Sequence, residues 1–528
     1  MVRWRVENLR PDEAVTFPLL LICGQVPLNE HLTCVVVYLA NAQPGSLVAE
    51  QQRTPWPVRN CDGRFRALVW LQPGVNLVAA GPLSGPAKLQ FRVHYLDVPW
   101  DYVVRAVYVV PRDAVEVRFQ APPDEDCMLA SAVRRFALAL RLMQTAAAEL
   151  LHEQGLGHLS FCIERMSAAC ATPLPGNIEE IHCAYDVPVH VRRLSRTRAE
   201  LHALSGDALW GMIAEELSNI SNRQQCIDVA VMSFTSKDAS TGRVYGHTAL
   251  GGGTLALFGS SGMYAWPQTL SEVPKRFSDR RRVDSINFFD DSAGRGERWA
   301  LASTTIGAML HELGHCLSLP HPCRGGGIMA RGFDYFYRLF TVQDPDPERE
   351  AHEPHWDRSA ACRLHFHRHF VGALAVVEQI EPDWASFTAQ PAASPLPSPE
   401  RLEHDARVPY QVANAPHASV TRMLPVTNGA SASERPSHPL HAVGRSPRIT
   451  LDANGFVHIF APNGIGHIGY YVDGDVADHD EFLDSARPVE YFQIALDDIR
   501  RRCRIQKPTS TLRISCIDHL GEINEQAV

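Results

Sequence analysis

The stretch His311-Glu-Leu-Gly-His315-Cys-Leu-Ser-Leu-Pro-His321 decides how this chain is read. On an α-helix, residues i and i+4 share a face, so His311 and His315 can reach a single ion. Glu312 is rotated off that face only far enough to stand beside the ion, where a carboxylate can take the proton of a bound water. Pro320 is expected to stop the helix just before His321, letting the chain turn and bring a third imidazole beneath the metal. Three protein ligands leave one position of a tetrahedral zinc open, which is the layout of a catalytic rather than a structural site. With 24 histidines in 528 residues, His-Glu-x-x-His arises by chance about 0.05 times in such a chain, and about 0.002 times with His321 added.

The plain alternative is a surface helix with two solvated histidines. The approach Trp299-Ala-Leu-Ala-Ser-Thr-Thr-Ile-Gly-Ala-Met-Leu-His311 argues against it, being largely apolar as a buried helix is. Imidazoles and a carboxylate on such a helix need partners, and a metal supplies them. Beyond the motif, Pro322 and Gly325-Gly-Gly327 permit a tight reversal before Ile328-Met329. Three histidines above a methionine turn resemble the metzincin zinc peptidases, at His311, Glu312, Gly314, His315, His321 and Met329. The chain departs from that pattern at Ser318, where metzincins usually carry glycine, and in its short gap from His321 to Met329. Should His321 not bind, Asp334 or Glu353 is the next candidate.

The wider sequence resembles a family of putative zinc metallopeptidases, some of whose members end in a jacalin-like lectin domain. The resemblance is carried by His247-Thr-Ala-Leu-Gly-Gly-Gly-Thr-Leu-Ala-Leu-Phe258, Tyr264-Ala-Trp-Pro267, the His311 stretch, Gly327-Ile-Met329 and His355-Trp356. It implies a metzincin-type fold, a cytosolic location and peptidase activity, and it implies no particular substrate.

A chain of this length exceeds what one hydrophobic core organises, so about two to four domains are expected. Composition is that of a soluble globular protein, 45% hydrophobic and 21% charged. A net charge of −9 without a Lys/Arg-rich run gives nucleic acid no basic surface. Phe17-Pro-Leu-Leu-Leu-Ile-Cys23 is too short and too far in for a signal peptide or a membrane span. Thirteen cysteines, an odd number without framework spacing, fit a reducing compartment. The expectation is therefore a cytoplasmic protein with no membrane partner, in which the triplet Asn219-Ile-Ser221 is a chance glycosylation match.

Residues 1–105 contain β-rich runs at Leu19–Gly24, Leu32–Leu39, Arg64–Leu71, Asn76–Ala80 and Leu89–Tyr95. Turn signals such as Cys61-Asp-Gly63 separate them, and they read as an immunoglobulin-like β-sandwich with a scaffolding role. Residues 106–387 read as the zinc metallopeptidase domain. A strand at Arg105–Val110 precedes a long amphipathic helix, Cys127–Glu153, ended by Gly155. Strands at Phe161–Ile163 and Val187–Val191, a helix at Ala199–Leu217, and strands at Ile227–Phe234 and Thr254–Phe258 lead to the motif helix.

Gly251-Gly-Gly253 precedes a strand rather than a helix, which disfavours a phosphate loop and suggests a flexible approach to a cleft-edge strand. The histidines at 352, 355, 365, 367 and 369 could line a strand as a second metal site. Neighbouring Arg363, Arg368 and Trp356 favour a helical or looped subdomain packed around aromatic residues instead. Cys316 and Cys323 read as packing residues, and Tyr335 and Tyr337 do not match the spacing of a tyrosine that stabilises an intermediate. Residues 388–446, rich in Ala, Pro and Ser, read as a disordered linker, and 447–528 as a C-terminal β-rich domain, lectin-like if it binds a glycan.

The fold class expected is α+β: a metzincin-like zinc peptidase domain flanked by an N-terminal immunoglobulin-like β-sandwich and a small C-terminal β domain. The function expected is zinc-dependent peptide hydrolysis, with one Zn²⁺ on His311, His315 and His321, Glu312 as general base, and a peptide or protein as substrate. The alternative is a zinc-bearing, non-catalytic scaffold that binds glycans or partner proteins through its β domains. A zinc deacylase or amidase shares the same chemistry.

Overall fold

The computed structural model describes residues 3–42, 54–165, 178–218, 225–323, 326–347, 353–370, 372, 446–507 and 509–528. The linker expected over 388–446 falls, up to residue 445, outside the described residues, as do Asn219-Ile-Ser221 and His352. The architecture mixes α and β, with most elements strands. None of the described helices is long and apolar enough to cross a membrane.

Near the N-terminus, strands at Arg5–Val6, Leu19–Gln25 and Arg64–Trp70 form one sheet. Strands at Glu13–Val15, Leu89–Tyr95, Gly74–Pro82, Cys34–Leu39 and Pro55–Pro57 form a second. The two enclose Trp56 and Phe65, both fully buried. That core does not stop at the sheets. It continues into the long helix Leu129–Glu153, which is buried on almost every face, and from there to the motif helix Arg298–Cys316. This helix lies between the N-terminal sheets and the central sheet, and even its polar residues Arg135, Arg141, Gln144 and Glu149 are buried. Thr145 Oγ1 donates to the Leu19 carbonyl at 2.6 Å and Asn8 Nδ2 to Glu149 Oε2 at 2.9 Å, so polar ties also cross that boundary.

The central sheet runs Ile178–Ala184, Val187–Arg193, Val103–Val110, Cys226–Met232, Leu255–Gly259, Ala249–Gly252, with Cys162–Ile163 added beside Val103. The four inner strands are parallel and the two outermost antiparallel to their neighbours. Inner strands such as VVRAVYVV and CIDVAVM are near-continuous apolar runs, as strands covered on both faces must be. The motif helix packs beneath the last two strands.

Two expectations need correction. The helix expected over Ala199–Leu217 is two helices, Arg198–His202 and Gly206–Ser218. The first opens on a Thr197–Glu200 capping box, and Ser205 Oγ accepts from Ala208 N at 3.3 Å to start the second. The cleft-edge strand is not Leu255–Gly259, which is interior, but Ala249–Gly252, so the glycine run supplies the edge itself.

The C-terminal residues form a sheet of six strands around Phe456–Val472, which runs 17 residues and pairs with Arg448–Leu451, Asp475–Glu481, Val489–Ala495 and Leu512–Asp518. With the helix Leu496–Arg502 it encloses a small core of its own, including Ile459, Ile468, Tyr470 and Ile514.

Candidate metal centre

The motif helix ends earlier than Pro320 suggests. Its last residue is Cys316, and Ser318 takes the left-handed conformation at φ +62°. Leu319 N donates to the Gly314 carbonyl at 2.9 Å and Ser318 N to the His315 carbonyl at 3.0 Å, the paired bonds of a Schellman turn. Ser318 therefore adopts a left-handed bend without being glycine, and Pro320 only directs the chain afterwards. Gly314 is needed for a different reason: a Cβ there would collide with the Met329 sulfur.

That geometry brings the three imidazoles together. His311 and His315 Nε2 are 3.1 Å apart, His315 and His321 Nε2 3.1 Å, and His311 and His321 Nε2 3.3 Å. His311 Nδ1 lies 2.7 Å from the Ile328 carbonyl and His315 Nδ1 2.9 Å from the Leu319 carbonyl. A carbonyl only accepts, so both rings carry their proton on Nδ1 and turn a lone pair inward at Nε2. Lone pairs at 3 Å repel unless a cation lies between them. Zinc at about 2.0–2.1 Å from imidazole nitrogens, in a tetrahedron, sets those nitrogens about 3.3–3.4 Å apart, so the triangle fits such an ion. Burial pushes the His311 imidazole down to about 4 against the opposing hydrogen bond to Ile328, and lowers His315 likewise, so both are neutral at physiological pH, the form in which an imidazole can bind a metal.

Glu312 follows His311 on the helix and is buried. Burial raises its carboxyl to about 7, opposed by a hydrogen bond from the Gly251 main chain. Gly251 lies in the edge strand, where a Cβ would overlap the Glu312 carbonyl oxygen. The glycine is there for close approach, not flexibility. An open cavity of about 490 Å³ is lined by His311 and His321 together with Ala249, Glu312, Met329 and Phe333, and also by His247 and Asp291. Phe333 meets the His311 ring edge-on at 5.2 Å.

The fallback ligands stand apart. Asp334 is held by Arg331, at 3.0 Å to each oxygen, and by Thr304 Oγ1 at 3.0 Å. Glu353 is in neither of the metal-compatible groups found among the described residues. Tyr337 is buried and donates to Asp344 Oδ1 at 2.6 Å, away from the cavity. His365 lies in the helix Arg358–Phe366, His367 is its extended C-cap and His369 sits in the helical turn that follows, so these three do not line a strand face.

A second group, Glu13, His152 and His158, also brings potential donor atoms together. There His158 Nδ1 lies 2.6 Å from Glu13 Oε1 and Nε2 3.2 Å from Glu149 Oε2. Burial alone would lower this imidazole, but the two carboxylates outweigh it and raise it to about 9. A ring that donates on both sides has no lone pair for a metal, and His158 acts as a cation pinning the long helix to the N-terminal sheets.

Comparison with known proteins places the chain. The model of the family described as "Putative peptidase family" matches residues 3–394. The chain belongs to that family. Among its relatives is a putative zinc metalloproteinase of Schizosaccharomyces pombe, 30% identical over 291 residues, 53% of this chain and 45% of that protein. Another is a putative zinc metalloproteinase of Saccharomyces cerevisiae, 24% identical over 398 residues, 69% of this chain and 54% of that protein. The chain thus matches about half the length of these relatives. Among solved structures, wild-type OgpA from Akkermansia muciniphila superposes with a TM-score of 0.39 at 13% identity, over 82% of this chain and 94% of that one. A catalytically inactive OgpA in complex with an O-glycopeptide substrate gives 0.39 at 12% identity, over 82% and 93%. Likeness at that level assigns nothing to this chain.

Motif reading brought out the three histidines, Glu312 and Met329. It missed what places them, the left-handed Ser318 and the contact of Gly251 with Glu312, and it did not single out His247 and Asp291 as cavity-lining residues. Three adjacent glycines beside a short strand were the available signal for the second.

Proposed function

We propose that this protein is a zinc-dependent peptidase that binds one Zn²⁺ through Nε2 of His311, His315 and His321 and uses Glu312 as its general base. The observation that carries the reading is the triangle of inward-facing imidazole nitrogens, 3.1–3.3 Å on each side, with a buried carboxylate on the same helix. Zinc held there supplies a Lewis acid that acidifies water and polarises a scissile carbonyl. Glu312 takes the water proton on its carboxylate and delivers it to the leaving amine. Gly251 N–H steadies that carboxylate, and Met329 gives the three rings an apolar floor.

Among the described residues, Ala249–Gly252 is paired in the sheet along one edge only, and Ala249 lines the cavity. An extended peptide laid along it would gain main-chain hydrogen bonds and carry its backbone past His311 and Glu312. We read the arrangement as metzincin-like, with the N-terminal sheets as an immunoglobulin-like scaffold. A non-catalytic zinc scaffold would have no use for a carboxylate kept buried at Glu312. The test is metal content and peptide-library turnover of wild type and Glu312→Ala. Zinc retained with cleavage abolished supports the assignment, whereas equal turnover in the two proteins eliminates Glu312 as the base.

A further inference from the structure

Resting on that reading, we propose that the C-terminal sheet is a working part of the metal centre, and that main-chain pairing at Val476 positions the third ligand, His321. The three ligands are not held alike. The rings of His311 and His315 are each anchored through Nδ1 to a carbonyl of the peptidase region. His321 is exposed, and among the described residues its ring makes hydrogen-bonding contacts only with the other two imidazoles. Its orientation must come from its backbone.

That backbone is short of donors, because the prolines at 320 and 322 on either side of His321 have no N–H. Among the described residues, the main-chain ties of the segment His321–Cys323 both go to one residue of the C-terminal sheet. Val476 N donates to the His321 carbonyl at 3.1 Å, and Cys323 N donates to the Val476 carbonyl at 3.1 Å, a parallel bridge centred on Pro322. The strand Asp475–Glu481 is paired along one edge with Phe456–Val472 and covers its other edge with the ligand loop. The Asp473-Gly474 turn, with φ of +53° and +99°, sets Val476 at the start of that strand.

The sheet is itself clamped to the peptidase region. Glu481, at the far end of the strand, takes Arg358 Nε at 2.7 Å and Nη2 at 3.2 Å, and the Cys362 thiol at 2.8 Å. Buried Arg363 donates to the Tyr471 hydroxyl at 2.9 Å and to Ser515 Oγ at 2.8 Å. At Gly466 a Cβ would come within 2.7 Å of the Phe366 ring. A strand fixed this firmly can hold a loop in register. Val476 is a positioning residue, acting through His321 without touching the metal.

The experiment measures the zinc dissociation constant of the full chain by chelator competition, which needs no turnover. Val476→Pro removes the N–H that His321 accepts, while Val476→Ala keeps the main chain. Val476→Pro is expected to weaken zinc about 10–100-fold, the loss typical of a residue that orients a ligand, and Val476→Ala to stay within about twofold. In a His321→Ala background, Val476→Pro should add nothing further, because the two act as one unit. Unchanged affinity in Val476→Pro, or an equal extra loss without His321, overturns the proposal. Hydrogen exchange on wild type tests the same link if Val476→Pro does not fold. Zinc loading should slow exchange at the amides of Val476 and Cys323, since coupling between sites is reciprocal, and no change there overturns it. Wild type that takes up no zinc would instead sink the reading under Proposed function.

Discussion

Gly251, Gly252 and Gly253 are consecutive, yet the structure gives each a different reason to be there, and alanine at each should behave differently. At Gly251 a Cβ overlaps the Glu312 carbonyl oxygen, and a helix backbone cannot swing aside. Overpacking of that kind costs about 1–3 kcal/mol. It would push the edge strand off the motif helix and withdraw the hydrogen bond that reaches the Glu312 carboxylate. Displacing a catalytic group by about 1 Å costs on the order of 100-fold in rate, so Gly251→Ala should lose stability and turnover together. At Gly252 the nearest atom is Trp210 Cζ2 at 3.9 Å, an ordinary contact, and the backbone is not left-handed. Alanine there should be neutral or stabilise by about 0.4–1 kcal/mol through the unfolded chain. Gly253 has open space around it but φ of +54°, so alanine should cost about 1 kcal/mol in stability and leave the site alone. Urea denaturation of the three variants, with turnover of a peptide library, separates these outcomes. If Gly252→Ala damages turnover as much as Gly251→Ala, close approach at Glu312 is not what the glycine provides.

Further expectations concern the helix stop, the base and the buried imidazolium. Ser318→Gly relieves a left-handed backbone at the expense of added chain freedom, and should stabilise by about 0.5–1 kcal/mol in urea unfolding with zinc affinity unchanged. Glu312→Gln should hold zinc in a chelator assay yet reduce turnover about 100- to 10,000-fold. His158 is raised from 6.5 unfolded to about 9 folded, so its contribution is complete below about pH 6.5 and is lost as pH rises through 9. Unfolding free energies at pH 6.5 and 9.5 should differ between wild type and His158→Asn by on the order of 3 kcal/mol, with the larger gap at pH 6.5.

The motif helix was legible because its signals are local: an apolar approach, histidines one turn apart, and a carboxylate between them. The long helix was legible for the same reason, since period and terminating glycine both lie within the segment. Ser318 was harder. As a departure from glycine it looked like a weak point for the third ligand, yet serine occupies the left-handed position of a complete Schellman turn. The edge strand Ala249–Gly252 is too short and too rich in glycine to carry a β signal. Phe456–Val472 is a single strand despite Pro462-Asn-Gly464, a triplet typical of turns, which the structure absorbs as a register shift with Gly464 at φ +83°. Val476 could not have been found at all, for nothing near it in sequence reveals that it faces His321.

The apolar interior that joins the N-terminal sheets, the long helix and the motif helix has a consequence for how heat would dismantle the molecule. Two of the three imidazoles grow from that large interior and should survive until it melts as a whole. The loop bearing His321 is fastened to the smaller C-terminal core. On warming, that smaller body would loosen first, and the proposed zinc site would lose its third histidine while most of the chain was still folded.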